Sequence, residues 1–86
     1  MIPAKVAAAV LWRYGEPGGV EPGGFVKALL EAFAHADPMN HRLLAMGFAE
    51  YGEAMWLAQN RPGGIEKLRA IVGEAQERGA SGAAAR

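Results

Sequence analysis

The chain has no cysteine and no threonine, and its one serine, Ser81, lies in a Gly- and Ala-rich stretch. Without cysteine there is no disulfide framework, no thiolate zinc site and no cysteine nucleophile, and an intracellular, cytoplasmic protein is expected. With a single serine so placed, covalent catalysis at a Ser, Thr or Cys has no well-placed candidate, and no enzymatic function is expected. There is no surplus of charge of either sign: nine Lys and Arg balance nine Asp and Glu. A basic face for nucleic acid or an anionic membrane surface is therefore not predicted. β-Branched residues are few, five Val and three Ile, which argues against a sheet. Long hydrophobic runs are absent too. The longest, Val6 to Trp12, is far too short to span a bilayer and carries no signal-peptide cleavage pattern, so no membrane partner is expected.

What the sequence does contain is alanine and glycine. Of its apolar residues, 51% of the chain, 18 are alanine, leaving 26 larger side chains to build a core. A chain of 86 residues with so few bulky groups gains only a few kcal/mol of net stability from burial, and self-association is a natural way to add to it.

The apolar spacing predicts an all-α fold, a compact bundle of four to five short helices with a Gly/Pro-rich loop, in one domain over 1–78 followed by a disordered tail over 79–86. Val6, Val10, Leu11 and Tyr14 recur on one face of a helix over Lys5 to Tyr14, with Trp12 beside that stripe. Glu16-Pro17-Gly18-Gly19 and Glu21-Pro22-Gly23-Gly24 form a tandem repeat in which proline stops a helix and glycine permits positive φ, so a mobile loop is expected. Phe25, Val26, Leu29, Leu30 and Phe33 mark a second helix, with Lys27, Glu31 and His35 facing outward. Asp37-Pro38 is a start signal for a third, ending near Met46 with Gly47 as its terminating glycine. A fourth carries Tyr51 and Met55, with Trp56 or Leu57. After the turn Asn60-Arg61-Pro62-Gly63-Gly64, a last helix carries Ile65, Leu68, Ile71, Val72 and Ala75.

Chemical constellations are sparse. His35, Asp37 and His41, with Glu31 nearby, are the one cluster of metal-competent residues, but the His-x-x-x-His spacing is missing and no metal or other cofactor is expected. Asp37 reads as a helix cap, His35 as a helix C-terminal cation and His41 as solvent-facing. Glu50 and Glu53 read as a solvated acidic face. The glycine pairs lack the strand and lysine of a phosphate cradle and read as turns. Helices three and four superficially fit a helix-turn-helix, with Arg42, Arg61, Lys67 and Arg69 as phosphate contacts. The second of these helices carries Glu50 and Glu53 and no base before Arg61, which is the wrong sign for a groove. A cofactor-independent enzyme using Tyr14 or His41 lacks any pocket-forming pattern.

Ala36-Asp37-Pro38, then Leu43-Leu44-Ala45-Met46-Gly47-Phe48-Ala49-Glu50-Tyr51 and Gly64-Ile65-Glu66-Lys67-Leu68-Arg69, resemble a group of small uncharacterised proteins of actinobacteria and their phages. The likeness covers about half the chain and rests on packing residues. Ala49 stands where such sequences tend to have proline. The resemblance implies a source and no activity.

The remaining signal is a surplus of bulky anchors. Trp12, Tyr51, Met55 and Trp56 are the candidate protein-binding residues, because aromatic and methionine side chains are enriched in interface cores. Met55-Trp56-Leu57 span about 200° of a helix, so at least one of them must look outward. The expected function is a small non-catalytic protein-binding module, a phage-derived modulator of a host protein. A self-assembling structural homo-oligomer is the alternative, and a small DNA-binding regulator comes behind both.

Overall fold

A computed structural model describes residues 1–84, with side chains through residue 78. Among these residues there are five helices and no strand: α1 (Ala4–Arg13), α2 (Gly24–His35), α3 (Pro38–Gly47), α4 (Ala49–Asn60) and α5 (Gly64–Ala84). The tail expected over 79–86 falls on residues of which only the helical backbone to Ala84 is described.

α1 sits at the centre, packed by α2, α4 and α5. The predicted stripe Val6, Val10 and Leu11 is buried, and so are Ala7, Ala8 and Ala9 between them. A helix buried on every side needs small residues where neighbouring backbones come close, so the alanines of the sequence are structural contacts as much as helix formers. Phe33, Leu11, Leu30, Met55, Leu68 and Val10 complete the core and are fully buried. Each such large side chain contributes about 1.5–3 kcal/mol through loss of apolar hydration.

The Gly/Pro-rich loop lies against α1 and is held there. The Val20 N–H donates to the Ala8 carbonyl at 3.1 Å, and the Glu16 N–H to the Leu11 carbonyl at 2.9 Å. At Gly19 a Cβ would fall 2.5 Å from the backbone nitrogen of Trp12, so only glycine seats the loop on the helix. The mobile loop expected from composition is thus a docked one. Lys27 reinforces it from α2, pairing with Glu21 while its ammonium lies 5.3 Å from the centre of the Trp12 ring.

Two expectations about the middle of the chain are altered. Phe25 is not on the core face of α2: it lies in the first turn, 67% exposed, and meets Phe48 in a tilted pair with ring centres 5.8 Å apart. The break between α3 and α4 occurs where expected, but Gly47 does not make it, since its φ is not positive. Phe48, at φ −131° and ψ 59°, turns the chain and caps both helices. α3 and α4 then fold against each other at Gly52 and Ala45, where a Cβ on Gly52 would lie 2.7 Å from that of Ala45.

Candidate protein-interaction surface

The four anchors expected from the sequence do not share a surface. Trp12 is half-buried beneath Lys27. Tyr51 is half-buried and lines a concavity of about 380 Å³ with Ala8, Ala9, Val20 and Val26. Met55 is wholly buried in the core, so it is corrected from a partner contact to a packing residue. α4 buries Gly52, Ala54 and Met55 against its neighbours, and the residue after Met55, about 100° further round, leaves the core. That residue is Trp56, 48% exposed. Its ring meets the edge of His41 at 5.9 Å, and His41 in turn meets Phe33 at 5.1 Å.

The polar residues near the α2–α3 turn are also separated. Asp37 caps α3, its Oδ1 accepting the Asn40 N–H at 2.7 Å. His35, at the end of α2, points to solvent with its Nε2 3.6 Å from Glu31, whose other oxygen pairs with Arg13. His41 is half-buried between aromatic rings and is not solvent-facing as expected. Three neighbours in sequence therefore serve three different ends. Among the described residues no group of three His, Cys, Asp or Glu is placed to hold a metal ion.

A surface does emerge on α3, where the sequence pointed to none. This helix has no buried residue. At about 100° per residue, His41, Leu44 and Ala45 fall on one side and are half-buried toward α2 and α4. Met39, Leu43 and Met46 fall together on the opposite side and are 62%, 56% and 80% exposed. The stripe runs beside a groove of about 400 Å³ between α2 and α3, lined by Ala32, His35, Ala36, Asn40, Leu43 and Leu44. Arg42 is the only formally charged residue from Pro38 to Ala49. The i, i+4, i+7 spacing of the stripe is visible in the sequence, but it is the spacing of any core-facing helix. Only the packing of His41, Leu44 and Ala45 reveals which side is turned out.

No protein-family model, curated protein or solved structure matches the chain.

Proposed function

We propose that this chain is a small non-catalytic protein-binding module whose contact face is the outer side of α3 with the adjoining α2–α3 groove. The observation that carries the reading is the exposure of Met39, Leu43 and Met46 on a helix that buries no residue of its own. Isolated exposed apolar residues are ordinary, but three at helical spacing beside a groove form a contiguous patch of the kind found at interaction sites. Methionine suits such a face, because its unbranched, polarisable side chain adapts to a partner's shape. Trp56 lies outside this stripe and is at most a flanking contact.

The test is site-specific photo-crosslinking in living cells that express the chain, with a benzophenone amino acid at position 39 or 46 and, as controls, at the exposed positions Glu66 and Glu77. Protein adducts are expected at 39 and 46 well above the controls. Equal adduct yields at all four positions would remove the reading.

A further inference from the structure

We infer that the occupant of the α3 face is a second copy of this chain, docked antiparallel about a two-fold axis that passes beside Leu43. This rests on the protein-binding reading and names its partner. The first argument is the pattern itself. A two-fold interface must be self-complementary, each residue meeting what its own image presents. Met39 and Met46 flank Leu43 at four and three residues, about 6 and 4.5 Å of helix rise, so with Leu43 near the axis Leu43 meets Leu43 and Met39 of one copy comes level with Met46 of the other to within a residue.

Area supplies the second argument. The exposed parts of Met39, Leu43 and Met46 amount to about two whole side chains. At roughly 150–250 Å² for a large apolar side chain this is on the order of 400 Å² per copy, within the range of the largest apolar patch of a typical monomer. With the polar and small residues around it, Asn40, Ala32 and Ala36, the face reaches the low end of specific interfaces, on the order of 600 Å² per partner, which fits a dimer that forms at micromolar concentration. The groove beside the stripe, floored by Ala32 and Ala36, is the hollow that a side chain of the opposing copy needs.

Charge is the third. Two copies of one surface always oppose like with like, so a self-docking face must be nearly free of formal charge. α3 carries only Arg42, roughly 70° of helix rotation from the centre of the stripe, so the two Arg42 side chains stand at the rim of the pairing, in solvent, and not between the stripes. The whole chain has a net charge of zero, so no long-range repulsion opposes the pairing. A partner with a strongly acidic or basic surface finds no complement here.

Because the chain has no cysteine, a single introduced thiol gives a clean report. Sedimentation equilibrium of the purified protein at micromolar concentration should give twice the 9.1 kDa of the chain. Leu43→Glu and, separately, Met46→Glu should return it to the monomer mass while the far-UV helical signal is kept, since both positions are exposed in the single chain. Leu43→Cys on the axis should form an intersubunit disulfide under mild oxidation much faster than Ala70→Cys, because only a residue near the axis brings its Cα within the 4.4–6.8 Å a disulfide spans. A monomeric wild type would overturn the dimer, as would a dimer indifferent to both glutamate variants. A monomer that still crosslinks to other proteins through positions 39 and 46 sinks the dimer alone. A monomer without such crosslinks sinks the binding-face reading as well.

Discussion

Gly47 and Gly52 lie five residues apart, look alike in the sequence and do opposite things. Around Gly47 there is open space and its φ is not positive, so neither packing nor backbone needs a glycine. Gly47→Ala should stabilise the protein by about 0.5–1 kcal/mol, through the lower entropy of the unfolded chain, and raise the melting temperature. Gly52 is buried where α4 crosses Ala45, and Gly52→Ala places two Cβ atoms closer than contact allows. It should cost about 1–3 kcal/mol as overpacking, and Ala45→Gly in the same chain should recover part of the loss, a coupling that a double-mutant cycle in urea measures. The pair Met55 and Trp56 divides in the same way. Met55→Ala should cost about 2–5 kcal/mol by leaving a cavity in the core, whereas Trp56→Ala should move the urea midpoint far less.

At the scale of elements, α1 and α3 are the extremes. Both have ten residues, but α1 is buried through six consecutive positions and α3 through none. α3 is held by the Asp37 cap at its start, by the half-buried contacts of His41, Leu44 and Ala45, and by the turn at Phe48. Local opening follows the amount of buried apolar contact. In hydrogen exchange on the Leu43→Glu chain, α3 amides should therefore exchange first and α1 amides last. Asp37→Ala should widen the gap by about 1 kcal/mol, the worth of an N-cap, with the Asn40 amide losing its protection most. The helices and their order were legible because apolar spacing, the Asp37-Pro38 start and the Pro-Gly turns are local signals. The outward face of α3 was not, since a core stripe and an exposed stripe have the same period.

Across the whole molecule, a central helix touched by three others ties the core into one unit. Urea unfolding should be a single transition in which tryptophan fluorescence, reporting Trp12 on α1 and Trp56 on α4, coincides with the far-UV helical signal; separated midpoints would show that α1 does not bind the bundle together. Among the described residues no helix is long and apolar enough to cross a membrane. The sequence by itself determined the all-α class, the starts of the helices, the break after α3 and the absence of cysteine, threonine and any serine but Ser81, because each depends on residue type and near neighbours in the chain. Tertiary structure decided which residues of each stripe are covered: it drew Met55 inward, set Tyr51 and Trp56 against different neighbours, laid the glycine-rich loop on α1 and left Met39, Leu43 and Met46 uncovered. Burial depends on which elements meet in space, and periodicity along a single helix is blind to that.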